Sequence, residues 1–170
     1  PRQHHLPTTT GTILLQDART GRVFCILDGE YLTALRTGAA SGVATRHLAR
    51  SEPGQTAGIF GAGVQARMQL RGVRAVRRLS RAWVYDPDAG AAGRFALEMS
   101  RLLDLEVAAA ASPREAARAD ILCTATTSAT PVFEGAEVRE GTHVNGVGSH
   151  TPEARELDGE LIRRARLVGD

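Results

Sequence analysis

The sequence feature that most constrains the fold is a glycine-rich stretch, GIFGAGVQA, between an apolar strand and a helix. Gly61, Gly63 and Ala66 form the pattern G-x-G-x-x-A. In this setting the first glycine permits a tight turn, the second lets the backbone approach a pyrophosphate, and the alanine lets the helix pack closely on the strand. The first helical turn also offers unpaired N–H donors. The pattern predicts a dinucleotide-binding turn; the alternative is a turn that only packs the helix.

Apolar runs and helical segments alternate around and after this turn. The predicted strands are TAGIF, AWVYD, LEVAAA, DILCTAT and THVNGVG, and the predicted helices are GVQARMQLRGVRAVRRL, AAGRFALEMSRLL and SPREAARA. The terminal ARLVGD is predicted to begin a further strand. Such alternation implies right-handed crossovers and a parallel sheet covered by helices. We therefore expect an α/β fold with a Rossmann-type doubly wound parallel sheet over residues 54–170, truncated at its carboxyl terminus.

The first 50 residues predict a different arrangement. GTILLQD and RVFCILD are typical of two strands joined by a turn, and GEYLTALRTGAASGVATRHLARS of a helix that Asp28 caps. The small residues from Gly38 to Gly42 weaken a helix, so we expect another element to pack closely against them. We interpret residues 1–50 as part of a small α+β domain.

Composition excludes several classes of partner and chemistry. All 21 basic residues are arginine, so this chain offers no Schiff-base or phosphate-loop lysine. The net charge is only +2, and the one basic cluster, RGVRAVRRLSR, is predicted to be the solvated face of a helix. No apolar run approaches the length of a membrane span. We expect neither nucleic acid nor a membrane as a partner.

The two cysteines indicate a cytoplasmic protein. Cys25 and Cys123 are far apart and lack the spacing of a metal site, so we expect reduced, buried thiols and no bound metal. The stretch PRQHHLPTTT has no apolar signal segment and no initiator methionine. We expect the chain to begin inside a longer protein.

The strand after the glycine-rich turn ends at Asp86. A carboxylate at this place can accept both ribose hydroxyls of NAD and repel the extra phosphate of NADP. The following PDAG offers no arginine to reverse that preference. We predict NAD as the cofactor, with NADP less favoured. Asp86 acting as the cap of the next helix is the alternative.

Several longer motifs follow one another in a specific order. LTALRT, GIFGAGVQA, ADILCTATTSATPVFEG and GTHVNGVGSHTPEARELD together resemble the ornithine cyclodeaminase and mu-crystallin family over nearly the whole chain. The resemblance implies NAD(P)-dependent homodimers in which a substrate and dimerisation domain lies beside a Rossmann domain. It makes residues 1–50 part of the former domain. Members include cyclodeaminases, an alanine dehydrogenase type and reductases of cyclic ketimines.

The resemblance also implies the site residues. Arg36 matches the family arginine that grips the substrate carboxylate, a role that suits a guanidinium fork; the alternative is a surface arginine. The positions that match the family's cofactor contacts are Thr8, Gly61, Gly63, Val64, Gln65, Asp86, Thr124, Thr126, Val144, Asn145, Gly146 and Val147.

Two departures from the cyclodeaminases follow the last strand. His150 stands where they have an aspartate that resembles their catalytic acid/base, and Ala154 stands where they have a cofactor-contacting lysine. A histidine can shuttle protons near neutral pH. His150 is therefore our candidate for the catalytic residue, with a loop histidine bonded to backbone as the alternative.

Three functions remain open at this stage. The first is an oxidoreductase that reduces a cyclic imino acid, or interconverts an amino acid and its imine, with Arg36 holding the carboxylate and His150 supplying the proton. The second is an ornithine cyclodeaminase, which the missing aspartate disfavours. The third is a non-catalytic cofactor-binding protein. The resemblance further implies a substrate-binding lysine before residue 1 and the rest of the dimerisation domain after Asp170, so we expect a fragment of a longer enzyme.

Overall fold

The structure is a computed structural model that describes residues 10–149 and 154–169. The elements in these residues are β1 (Thr12–Gln16), β2 (Val23–Asp28), α1 (Gly29–Leu48), β3 (Gln55–Phe60), α2 (Val64–Val76), β4 (Leu79–Tyr85), α3 (Ala89–Leu103), β5 (Val107–Ala109), α4 (Pro113–Ala117), β6 (Ile121–Thr124), a 3-10 helix (Gly135–Glu137), β7 (His143–Gly146) and α5 (Gly159–Arg164).

Five strands form a parallel sheet in the order β5-β4-β3-β6-β7. The chain leaves β3 toward β4 and β5, and then crosses back to β6 on the other side of β3. The order of the strands therefore reverses between β3 and β6, which makes the carboxyl ends of these strands the expected ligand crevice. The predicted Rossmann-type doubly wound sheet is confirmed.

Each face of the sheet has its own hydrophobic core. On one face, α2 and α3 bury side chains such as Leu70, Phe95 and Met99 against Ile59 of β3. On the other face, α4 and α5 pack with the loop after β6 around Phe60, whose ring lies 4.7 Å from that of Phe133 between centroids. Consecutive residues of β3 thus point into opposite cores, as expected of a strand buried on both sides.

The helix α2 is shorter than predicted, and this changes the interpretation of the basic cluster. It ends at Val76, and β4 already begins at Leu79. Arg77 follows the helix and donates hydrogen bonds to the carbonyl oxygens of Thr45, Arg46 and Ala49 at 2.8, 3.2 and 3.1 Å. The cluster is therefore not one solvated helix face, because Arg77 satisfies otherwise unpaired carbonyls at the end of α1.

The helix α1 packs against α2 through glycines, as the small residues predicted. A Cβ on Gly38 would overlap the backbone carbonyl of Met68, and a Cβ on Gly42 would lie 2.8 Å from the carbonyl oxygen of Gly72. The predicted cap is also confirmed, because Asp28 accepts from the N–H of Glu30 at 2.8 Å. The small stretch is thus occupied by a neighbouring helix.

The other face of α1 and the β1–β2 hairpin are largely exposed. β1 and β2 pair antiparallel, and Phe24 and Ile26 of β2 are 66% and 68% exposed. Leu35 and Val43, which contribute to the apolar periodicity of α1, lie on its outer face at 41% and 59%. The division into a partial substrate domain and a Rossmann domain stays a prediction.

Two further expectations are wrong. The stretch 165–169 forms no strand in the described chain, since none of its residues is paired with another strand, and Leu167 and Val168 are 66% and 63% exposed. Cys25 is only half-buried, because β2 is mostly exposed, whereas Cys123 is fully buried in β6. No helix within the described ranges is long and apolar enough to cross a membrane.

Candidate functional site

The glycine-rich turn lies at the carboxyl end of β3, beside the loop after β6. Gly61 has a φ of 93°, in the region that favours glycine, and a Cβ there would lie 2.7 Å from the carbonyl oxygen of Ala125. Its N–H donates to the carbonyl of Tyr85 at 2.9 Å. Gly61 is therefore required by the backbone conformation of the turn, as predicted, and also by the close approach of the neighbouring loop.

The start of α2 leaves space and donors for an anion. A Cβ on Gly63 would meet nothing within 4 Å among the described atoms, and Gly63 at the N-cap has no side chain to accept from the first-turn N–H groups. Val64 in that turn is 52% exposed, whereas Ala66 is fully buried against the sheet. Open N–H groups at a helix start suit a pyrophosphate.

Arg67, which the sequence reasoning missed, holds this turn in place. Its guanidinium donates to the carbonyl oxygens of Ala62 and Gly63 at 2.6 and 3.1 Å. It also binds the carboxylate of Glu98 in α3 with two nitrogens, at 2.7 to 3.1 Å. This hydrogen bonding holds the pKa of Glu98 below its ordinary value. The only sequence signal was an arginine one helical turn after the second glycine.

Asp86 lies directly after β4 and faces the same turn. One carboxylate oxygen accepts from the N–H of Ala62 at 2.9 Å, and the other from the N–H of Asp88 at 2.9 Å. The cap of α3 is Asp88, which accepts from the N–H of Ala91, so Asp86 does not fill the alternative role of helix cap. Its half-buried carboxylate lies beside the turn, and its role toward a ribose stays a prediction.

The end of β6 supplies two threonines with different surroundings. The side chain of Thr124 is fully buried, and its hydroxyl oxygen has no hydrogen-bond partner among the described residues. The carbonyl of Thr124 accepts from the N–H of Val147, which ties the ends of β6 and β7 together at 3.0 Å. A methyl carbon of Thr126 would lie 3.2 Å from a Cβ on Gly61. Both threonines therefore adjoin the switch point of the sheet.

A buried glutamate, also missed by the sequence reasoning, joins the loops after β6 and β7. Glu156 is fully buried, and its carboxylate accepts from the N–H and the hydroxyl of Thr126 at 2.6 and 2.7 Å. Its second oxygen accepts from the N–H of Gly148 at 2.6 Å. No periodicity marks such a residue, because it lies in a loop and its partners are distant in sequence.

The residues of β7 lie in different environments. Val144 packs into the core on the α4 face, and Gly146 is exposed at the end of the strand. The buried amide of Asn145 donates to the hydroxyl of Thr45 at 3.1 Å and contacts the sulfur of Cys123 at 3.6 Å. Asn145 thus ties α1 to the sheet, while its proposed cofactor contact stays a prediction. Burial raises the pKa of the Cys123 thiol to about 12, which leaves it protonated.

Arg36 lies on the outer face of α1 and is exposed, without an ion pair to any described residue. The small-residue stretch beside it is filled by α2 rather than open to a ligand. Thr8 and His150 lie outside the described residues. Gln65 is half-buried, with a side-chain oxygen that has no partner in residues 10–149 and 154–169. The roles assigned to these four residues stay predictions.

His143 begins β7 and lies where the parallel strands start, whereas the glycine-rich turn lies where they end. Its Nε2 lies 3.1 Å from the side-chain oxygen of Asn145. Burial lowers the pKa of His143 below its ordinary value, the hydrogen bond to Asn145 opposes this, and the charge of Arg77 adds to it. Across the parts of the chain that are described, no histidine, cysteine and carboxylate side chains converge as a metal site would require.

The strand order and the turn between β3 and α2 define an α/β protein of the Rossmann type. The sequence profile of the ornithine cyclodeaminase/mu-crystallin family matches residues 1–170, and the chain belongs to this family. The predicted family is thereby confirmed.

Individual relatives agree with this assignment. The chain is 38% identical to an alanine dehydrogenase of Archaeoglobus fulgidus over 97% of its own length and 50% of that protein. A structure of Δ1-pyrroline-2-carboxylate reductase from Thermococcus litoralis, in complex with NADH and L-proline, is 48% identical with a TM-score of 0.91, covering 96% of this chain and 51% of that one. A structure of lysine cyclodeaminase is 41% identical with a TM-score of 0.87, covering 97% and 48%. The chain thus spans about half the length of these relatives.

Proposed function

We propose that this chain binds NAD(H) at the carboxyl edge of its sheet and belongs to an enzyme that reduces cyclic imino acids or interconverts amino acids and their imines. The observation that carries the proposal is the glycine-rich turn, where Gly61 adopts a positive φ, Gly63 leaves open space, and Asp86 faces the turn with its carboxylate. The similarity to a reductase solved with NADH and L-proline supports the choice of substrate class.

The residues divide the work of binding. The open start of α2 would hold the pyrophosphate, and Asp86 would accept the ribose hydroxyls, which favours NAD over NADP. The ends of β6 and β7 would surround the nicotinamide half, together with the hydroxyl of Thr124, which has no partner in the described part of the chain. NAD(H), when bound, supplies the hydride chemistry of the reaction. The chain's own part is to bind, orient and protonate.

On the substrate, Arg36 would hold the carboxylate next to the imine carbon through its guanidinium fork. Orientation of this kind supplies much of the rate, because the reacting atoms are then held at near-attack distance. His150 would donate a proton to the imine nitrogen, a task suited to an imidazole near neutral pH. Both assignments come from the family motif, and the position of His150 is outside the described residues.

The decisive experiment measures NADH consumption by the purified protein with Δ1-pyrroline-2-carboxylate, and with pyruvate plus ammonium. We expect NADH to be oxidised with at least one of these substrates. His150→Ala should then reduce kcat, and His150→Asp should retain part of it if a carboxylate can replace the imidazole. Turnover unchanged in both variants would make His150 a loop residue, and absence of NADH binding would refute the proposal itself.

Cyclodeamination is the second candidate, favoured by the 41% identity to lysine cyclodeaminase. The family motif opposes it, since His150 and Ala154 replace the aspartate and lysine of the cyclodeaminases. A lyase would release ammonia from L-ornithine or L-lysine without net change in NADH. That result, together with no oxidation of NADH by imino acids, would favour the second candidate.

We propose a cytoplasmic homodimer for the whole protein. The support is the apolar outer surface of the hairpin and α1, where Phe24, Ile26 and Val43 are more than half exposed. Apolar surface of this kind marks association sites. Light scattering should give twice the mass of one chain, and a monomer would contradict the proposal.

A further inference from the structure

We propose that Glu156 is a positioning residue that holds the nicotinamide side of the cofactor site in shape, an inference that rests on the proposed function. Glu156 is fully buried, and its carboxylate accepts three hydrogen bonds from two separate loops. The carboxylate joins the two loops beyond the point where the N–H of Val147 donates to the carbonyl of Thr124 at the strand ends. Buried polar networks of this kind rigidify the groups that they join.

The two carboxylate oxygens serve different loops. Oε1 accepts from both the N–H and the hydroxyl of Thr126, after β6, whereas Oε2 accepts from the N–H of Gly148, after β7. A Cβ on Gly148 would overlap the carbonyl oxygen of Thr126 and the carboxyl group of Glu156. The two loops are therefore held in direct contact around this carboxylate, with glycine as the residue that the contact permits.

The backbone of Glu156 bonds to one further residue in each of these loops. Its carbonyl oxygen accepts from the N–H of Val132 at 2.9 Å, and its N–H donates to the hydroxyl of Ser149 at 3.0 Å. Ser149 immediately precedes His150 in sequence. One residue thus fastens the loop after β6 at two places and the start of the segment that contains the candidate proton donor.

A carboxylate fits this position better than any other side chain of the same shape. All three groups facing it are donors, and a glutamate presents acceptors on both oxygens. A glutamine could accept only on its single oxygen, so its NH2 group would face the N–H of either Gly148 or Thr126. The N–H of one loop would then lose its acceptor and face another donor. Leaving a buried donor without an acceptor costs free energy.

The location predicts a selective effect on ligands. Thr126 and Gly148 lie on the β6–β7 side of the switch point, whereas Asp86 follows β4 on the other side. The nicotinamide half of NADH needs the first side, and the adenosine half needs the second. Loosening the loops should therefore weaken the binding of NADH. It should leave the binding of ADP-ribose, which lacks the nicotinamide, nearly unchanged.

The test compares Glu156→Gln with Glu140→Gln, the same chemical change at an exposed glutamate. Titration calorimetry would give Kd for NADH and for ADP-ribose, and steady-state kinetics would give kcat and KM. We expect Glu156→Gln to weaken NADH by about tenfold and to lower kcat, with ADP-ribose changed less than about twofold. Glu140→Gln should match the wild type in every measurement.

The outcomes separate this inference from the proposed function. Wild-type protein that binds no NADH would refute the proposed function, whereas equal NADH affinity in wild type and Glu156→Gln would refute only the role of Glu156. An equal loss of affinity for NADH and ADP-ribose would show that Glu156 has a general structural role, and it would also overturn the inference. If Glu156→Gln does not fold, Gly148→Ala separates the same two loops without changing a charge, and unchanged NADH affinity in that variant would overturn the inference.

Discussion

The carboxylate of Asp86 and the backbone N–H of Ala62 are joined by a hydrogen bond of 2.9 Å. The residue proposed to accept the ribose hydroxyls therefore also fixes the turn proposed to hold the pyrophosphate. Its other oxygen accepts from the N–H of Asp88, so both oxygens already have a backbone donor and offer further lone pairs to a ligand.

Asp86→Asn tests this double role. We expect NADH to bind about tenfold more weakly, because the variant loses the charge and one acceptor oxygen. The affinity for NADPH should fall less, or rise, since the repulsion of its extra phosphate disappears. Asp88→Asn is the matched control, because asparagine caps a helix as well as aspartate does. A ratio of NADH to NADPH affinity that stays at the wild-type value in Asp86→Asn would contradict the ribose role.

Arg67→Gln should weaken NADH and ADP-ribose to the same extent, by about fivefold. The reason is that the turn at Ala62 and Gly63, which both ligands would use, loses its guanidinium donor. Stability should fall by less than about 1 kcal/mol, because the contact with Glu98 is partly exposed. Calorimetry and thermal unfolding would measure the two effects. Arg71→Gln, at an exposed position of the same helix, serves as the control.

Gly38→Ala and Gly93→Ala should change stability in opposite directions. The first places a methyl group into the carbonyl of Met68, which overpacks the α1–α2 contact and should cost about 2 kcal/mol or more. The second adds a methyl group inside α3 with nothing within 4 Å, and should stabilise by about 0.5–1 kcal/mol. Denaturant unfolding would measure both. Equal destabilisation by Gly38→Ala and Gly93→Ala would show that the α1–α2 contact is not the reason for the loss of stability in Gly38→Ala.

The stability of the protein should depend on pH through His143. Because burial lowers the pKa of this histidine in the folded state, the unfolded chain binds the proton more readily. The contribution of the neutral side chain is full above about pH 6.5 and falls as the pH drops toward the lowered value. The melting temperature should therefore fall more steeply in wild type than in His143→Gln as the pH is lowered from about 7.5 to about 5.5. Parallel curves for the two proteins would count against this role.

The fold was predictable because its signals are local. The pattern of Gly61, Gly63 and Ala66 and the alternation of strands and helices were sufficient for the doubly wound sheet. Helix ends were less predictable, since nothing in the sequence marks Val76 as the last residue of α2 ahead of Arg77. The helix α5 was missed because it has six residues and too little periodicity to indicate a helix.

The site was predictable only where a residue belongs to a motif. Asp86 was found because it ends the strand after the glycine-rich turn. Arg67 and Glu156 were missed because their importance depends on contacts to Glu98, Thr126 and Gly148, which are distant in sequence. Such contacts exist only once α2 lies beside α3 and the loops after β6 and β7 meet.

The glycine contact between α1 and α2 limits how this molecule can move. Where backbone meets backbone at Gly38 and Gly72, sliding or rolling of one helix on the other would bring their carbonyl groups into collision. We therefore expect α2, which begins at the glycine-rich turn, and α1, which carries Arg36, to move together. If the proposed function holds, we expect any opening that admits a substrate to hinge outside the α1–α2 contact, so that the distance from the turn to Arg36 stays constant.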